Sequence, residues 1–387
     1  MHDETRCVRK KAVSQEGFAS LAPATHRAST IVFPTAEAFL DRHSRGPDAY
    51  TYGLHGTPTT RMLEATLSEL ERGVSTVLLP SGQAAISMLL LAMLSPGDEV
   101  LIPDTAYPPL KALCAGHLAR NGIAHRIYDP LIGADIARVI SDETRLIWVE
   151  SPGSTTMEVE DLPAIVAVAR ARGVRVACDN TWGSPLLLKP LVHGADFSVE
   201  ALTKWVGGHS DLLMGSVTVT DPELHRRLKA TIGGLGIGVS PDDAALALRG
   251  LDTMAVRLAH SGRAALDIAE RVAARIGPER VLHPAFPTTP GHAVWRRDFA
   301  GASGLFSIVV PAGAETGLSA LLAAAEVFSI GASWGGTKSL AAPQTVDRTM
   351  THGAHRQMYL RLSIGLEQVD DLWADLEPIV DLFAATL

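Results

Sequence analysis

The chain has few cysteines, no long apolar run and no sizeable block of basic charge, and each shortage removes a class of protein. Cys7, Cys114 and Cys178 are an odd, scattered set, which argues against a disulfide framework and fits reduced thiols in a cytoplasm. The 14 histidines form no HExxH pattern and no Cys/His cluster, so the sequence lends no support to a metal site. The longest apolar stretch, Met88-Leu89-Leu90-Leu91-Ala92-Met93-Leu94, is far too short to span a bilayer. The opening residues Met1-His2-Asp3-Glu4-Thr5-Arg6 mix charges with no apolar run behind them, unlike a signal peptide. Basic residues gather only at Arg9-Lys10-Lys11, and the formal net charge is −8. Neither nucleic acid nor a membrane is therefore an expected partner. No internal repeat or low-complexity segment is visible.

What is present suits a well-packed globular protein. Of 387 residues, 47% are hydrophobic and 20% charged, and this length makes two domains the natural expectation. Residues 1–45 read as an irregular arm. Thr57 is placed as a helix N-cap with Pro58 at the first helical position, Leu63, Leu67 and Leu70 follow at helical spacing, and Gly73 ends the helix. Val74 to Leu79 reads as a buried strand, then Pro80-Ser81-Gly82-Gln83 as a turn, then Ile86 to Leu94 as an apolar helix. A glycine at such a junction either makes a tight turn or lets helix N-terminal N–H groups approach a phosphate.

Further strands are expected at Glu99–Pro103, Leu146–Glu150, Val174–Asp179, Phe197–Val199 and Ser216–Val219, with a helix over Leu162–Ala171. This alternation predicts a largely parallel sheet covered on both faces, with ligands collecting beyond the strands' carboxyl ends. Gly82, Tyr107, Asp179 and Lys204 all fall at or beyond those ends. Tyr107, pinned by Pro108 and Pro109, could stack on a flat cofactor or simply pack. Asp179 followed two dozen residues later by Lys204 in a Gly-rich stretch suits pyridoxal phosphate (PLP), which needs a lysine amine and a carboxylate for its ring nitrogen. The bland alternative is a solvated surface lysine. Gly233–Gly238 reads as a loop leading into a long helix from Asp242 to Arg275, where the domain boundary is placed. Arg361, mid-strand between Leu360 and Leu362, requires a carboxylate, either a protein side chain or an amino-acid substrate.

Together these stretches resemble the Cys/Met-metabolism family of PLP-dependent enzymes (the trans-sulfuration enzymes) from about Tyr52 to the C-terminus. The resemblance is carried by Tyr52-Gly-x-x-Gly-Thr57, Asp129-Pro130-Leu131-Ile132-Gly133-Ala134-Asp135-Ile136, Glu150-Ser151-Pro152-Gly153-Ser154 and Asp179-Asn180-Thr181-Trp182. Thr203-Lys204 with Gly208-His209-Ser210-Asp211, Ser333-Trp334-Gly335-Gly336 and Arg361-Leu362-x-Ile364-Gly365-Leu366-Glu367 complete it. It implies an α/β fold of the PLP-dependent transferase type I, aspartate-aminotransferase-like, with a mostly parallel central sheet and a smaller C-terminal α+β domain. The expected division is an arm over 1–45, a PLP-binding domain over 46–240 and a small domain over 241–387. It also implies a cytoplasmic homo-oligomer, a tetramer built from dimers with shared sites.

By position, the resemblance makes Lys204 the cofactor's lysine and the acid–base group, with Asp179 on the pyridine nitrogen. Tyr107 would stack on the ring and help handle the proton, while Gly82, Gln83 and Thr203 would bind the phosphate. Tyr52 would reach the phosphate of a neighbouring subunit, and Arg361, Ser333 and Trp334 would bind the substrate. Leu54 stands where the family commonly has a phosphate-binding arginine, and Ala201 where its synthases and γ-lyases often have serine. Ala332 stands where β-lyases carry tyrosine and γ-lyases tend to carry glutamate, and Thr337-Lys338 where β-lyases often have Tyr-Glu. The Ser-Pro-Gly-Ser loop and Ala332 favour the β-lyase branch: α,β-elimination of L-cystathionine to homocysteine, pyruvate and ammonia. Broader cleavage of cysteine S-conjugates stands next, γ-elimination or γ-replacement after it. A PLP-binding regulator without lyase activity is disfavoured, because Lys204, Tyr107, Asp179 and Arg361 are all present and no DNA-binding module is appended.

Overall fold

Short apolar runs ending at Gly, Pro or acidic residues become strands, and capped, periodic stretches become the helices between them. The computed structural model describes residues 14, 16–350 and 355–387; Cys7 and Arg9-Lys10-Lys11 lie outside them. The first sheet contains β1 (Ser75–Leu79), β2 (Glu99–Pro103), β3 (Ala124–Tyr128), β4 (Thr144–Glu150), β5 (Arg175–Asp179), β6 (Phe197–Glu200) and β7 (Gly215–Val219). Their spatial order is β1-β7-β6-β5-β4-β2-β3. The run β3-β2-β4-β5-β6 is parallel, while β7 lies antiparallel to both β6 and β1. The carboxyl ends of β1, β2, β4, β5 and β6 therefore share one edge.

A second, five-stranded sheet is built from β8 (Val281–Leu282), β9 (Leu305–Val309), β10 (Ser329–Ile330), β11 (Leu340–Arg348) and β12 (His355–Ser363), in the order β10-β11-β12-β9-β8. The long helix Pro241–Ile276 serves two cores. Its first half buries Ala244, Ala247, Met254 and Leu258 with Leu63, Leu67 and Trp205. Its second half buries Ala265, Ile268 and Val272 with Phe306, Leu360 and Leu362. Each core joins segments distant in sequence, so apolar burial holds the two sheets to the same rod. Among the described residues no helix is long and apolar enough to cross a membrane.

Several local expectations change. The arm contains a short helix, Ala36–Leu40, because Thr35 accepts from the Ala38 N–H. The helix expected from Ile86 begins at Gly82, because the Ser81 hydroxyl caps the Ala84 N–H at 3.0 Å. Arg72, at φ 62°, carries the left-handed C-cap expected of Gly73. Gly233 and Gly234 belong to the helix Pro222–Gly234, which buried Leu224, Leu228 and Ile232 hold together. Strand β3 escapes the sequence reading because it is an edge strand whose Ala124 and Arg126 are exposed.

Candidate active site

The common edge surrounds a cavity of about 240 Å³. Gly82 and Gln83 line it from the helix after β1, Tyr107 from beyond β2, Glu150 from β4, Asp179 from β5, and Thr203 and Lys204 from the turn after β6. Trp334 and Arg361 close it from the C-terminal sheet side. At the start of the helix Gly82–Met93 the first N–H groups have no intrahelical partner. Gly82 is required by close packing, since an added Cβ would stand 2.5 Å from the Ala201 Cβ. Gly335 is fixed twice over: its φ is 84°, and an added Cβ would meet the Lys204 backbone at 3.1 Å. That contact presses the Ser333–Gly336 turn onto Lys204.

Lys204 Nζ donates to Ser333 Oγ at 2.7 Å and lies 5.1 Å from the centre of the Trp334 ring. No carboxylate among the described residues ion-pairs with it. Burial, then the nearby Arg361 guanidinium, lower its pKa from 10.5 to about 8, with Asp179 opposing. Arg361 donates to the carbonyls of Ala332 at 2.7 Å and Ser333 at 3.3 Å. It forms no ion pair among the described residues, so of the two partners open to it in the sequence, a protein carboxylate is not found. Asp179 accepts from the Thr181 N–H at 3.0 Å. Burial raises its pKa, while Thr181 and Lys204 pull it back. The Tyr107 hydroxyl is also raised, chiefly by burial.

Comparison with known proteins shows the family of the chain. Residues 4–380 match the family described as Cys/Met metabolism PLP-dependent enzyme. The chain is 41% identical over 364 residues to cystathionine β-lyase of Bordetella avium, covering 92% of this chain and 90% of that protein. The chain belongs to the Cys/Met-metabolism PLP-dependent enzymes. Cystathionine β-lyase MetC of Escherichia coli strain K12 is 39% identical over 362 residues, covering 91% of each chain. The crystal structure of Xanthomonas oryzae cystathionine γ-synthase in complex with cystathionine superposes with a TM-score of 0.86 at 31% identity, covering 96% of each chain. This chain is thus a PLP-dependent enzyme of carbon–sulfur lyase type with the fold expected from its sequence.

The cavity's donors fit that cofactor. Helix N-terminal N–H groups at Gly82 and Gln83, which precede the first intrahelical bond, suit a phosphate. Thr203 Oγ1 exchanges hydrogen bonds with the Met214 backbone at 3.1 and 3.2 Å. A buried acid raised by desolvation returns to the carboxylate form when a cationic ring N–H is set against it, which suits Asp179. Every predicted site residue except Tyr52 and Ser333 lines the cavity. Ser333 reaches it through its bond to Lys204, whereas Tyr52 is half exposed, outside the cavity of its own chain.

The side chains nearest the Leu54 departure do not point toward this cavity. Leu54 packs toward Gly238, and Arg61 is engaged by Glu64, by Asp48 and by the His55 carbonyl. The sequence reading gave no site role to Glu150, Thr181, Met157 or Leu213, which also line the cavity. Only Glu150 left a signal, as the acid closing a strand, like Asp179.

Proposed function

We propose that this enzyme catalyses α,β-elimination of L-cystathionine, with water, to homocysteine, pyruvate and ammonia. One observation carries the reading: the Lys204 amine, with its lowered pKa and held by a hydroxyl rather than a carboxylate, lies beside a guanidinium that ion-pairs with no carboxylate among the described residues. That is a base and an anchor for an α-amino acid. Lys204, Asp179, Tyr107, Gly82, Gln83 and Thr203 would hold PLP, which when bound would supply an electron sink for the α-carbon's electron pair.

In this mechanism Arg361 binds the substrate α-carboxylate and orients the α-hydrogen toward Lys204. Lys204 Nζ takes that proton while Ser333 Oγ holds the amine in line and the Trp334 face accommodates the resulting ammonium. The leaving thiolate departs from the β-carbon and receives a proton. β-Elimination needs one base on one carbon, and Ala332 offers no second acid–base group where the family's γ-lyases tend to carry glutamate. Tyr52, in the same reading, serves the phosphate of a neighbouring subunit in a dimer-based tetramer in the cytoplasm. The arm ends near residue 45 and the domains divide near residue 240.

A second reading, a broader cysteine-S-conjugate β-lyase, is favoured by the exposed Ala332, which gives the distal arm of cystathionine no polar partner. Product analysis separates these readings. Pyruvate and homocysteine from L-cystathionine support the first. Cleavage only of simpler cysteine conjugates supports the second. 2-Oxobutanoate with cysteine overturns both. Replacing Ser333 by alanine is expected to lower kcat by about 10- to 100-fold, the worth of one hydrogen bond to a charged group, with KM within about threefold; steady-state kinetics checks the split.

A further inference from the structure

The acids lining the cavity are Asp179 and Glu150, and only Asp179 has a task in the mechanism above. The two face each other in register on adjacent parallel strands, Glu150 on β4 opposite Asp179 on β5, so their side chains leave the sheet on the same face. Both are largely buried. Carboxyl groups on directly paired residues in a desolvated site disfavour each other's ionisation. Asp179 has the Thr181 N–H and the field of Lys204 to favour its anion. Glu150 has one donor, the Tyr107 N–H, 2.7 Å from its Oε2.

We propose that Glu150 is a positioning residue that works as a neutral carboxylic acid: it fixes Tyr107 through that backbone N–H and leaves Asp179 the sole anion on the ring-nitrogen side of the cavity. Groups on every neighbouring element bear on this assignment. Burial first and Asp179 second push the Glu150 pKa far above the carboxylate range. Glu160 adds to the rise, and the Tyr107 N–H and Lys111 oppose it. Behind Glu150, its own N–H donates to Glu160 Oε1 at 2.9 Å, and Glu160, itself raised to about 8 chiefly by burial, lies 2.6 Å from the Tyr128 hydroxyl. The backbone that carries Glu150 is thereby pinned.

The inference rests on the cofactor and not on the choice of thioether. The test compares the E150Q and E150A holoenzymes with the wild type by pH titration of the bound cofactor's visible absorbance and by the PLP dissociation constant. Glutamine is neutral, similar in shape and still accepts from the Tyr107 N–H, so E150Q should keep the titration midpoint within about 0.3 pH unit and the PLP affinity within about threefold. E150A removes the acceptor of the part-buried Tyr107 N–H and should weaken PLP binding about tenfold or more. If E150A does not fold, E150L fills the space without an acceptor and serves the same comparison. A midpoint shifted by about one unit in E150Q overturns the proposal by showing an ionised Glu150. Wild-type behaviour of the acceptor-free variant overturns it by showing no positioning. A wild-type enzyme inert toward cystathionine would sink the substrate reading and leave both readouts usable.

Discussion

Replacing Lys204 by alanine is expected to lower kcat/KM by about 10³-fold or more, since it removes both the amine proposed to hold the cofactor and the base proposed for the α-proton. Borohydride treatment should fix PLP on the peptide carrying Lys204 in the wild type and on no peptide in the variant. Retained turnover, or fixation elsewhere, would refute the assignment. The same lysine sets the expected pH dependence. With its pKa lowered from 10.5 to about 8 by burial and Arg361, roughly a quarter of the free amine is the neutral base at pH 7.5. An unperturbed lysine would supply only about one part in a thousand. Because the base form is required, kcat should rise with pH through about 8 and then level. A flat profile between pH 6.5 and 9 would remove Lys204 from the rate-limiting proton transfer.

Replacing Arg361 by methionine is expected to be the second-largest loss, about 10²-fold or more in kcat/KM. Losing one partner of a desolvated, hydrogen-bonded charge pair costs about 2–5 kcal/mol, and here the stranded partner is the substrate carboxylate. The effect should fall mainly on KM, with the visible absorbance of bound PLP retained, because Arg361 enters the reading as a substrate group. Arg361→Lys should recover only part of the loss, since an ammonium cannot reproduce the two-pronged geometry. Loss of PLP binding in Arg361→Met would indicate a structural role instead, acting through the carbonyls of Ala332 and Ser333 that its guanidinium holds.

Much of this site was legible without coordinates. Asp179 and Lys204 advertise themselves because an acid at a strand's carboxyl end and a lysine past the next strand must emerge on one edge of a parallel sheet. Gly82 was legible as a strand-to-helix junction, although its helix begins four residues before Ile86, where the apolar run begins, because capping is a hydrogen-bond property that hydropathy does not report. Glu150 was not legible as a functional residue. Its environment depends on Asp179, 29 positions on, arriving in register, and on Tyr107 folding back toward it.

The sequence by itself determined the chemistry on offer: a lysine, an acid, a glycine-led helix start and an arginine, in an order shared with a PLP-dependent family. These depend on residue type and local periodicity, which any short window carries. The tertiary structure decided what each group is free to do. Among the described residues it left Arg361 without a protein carboxylate, put the Ser333 hydroxyl 129 positions away against the Lys204 amine, and set Glu150 beside Asp179. Charge state, desolvation and missing partners are properties of a packed environment, and that environment comes from segments far apart in the chain.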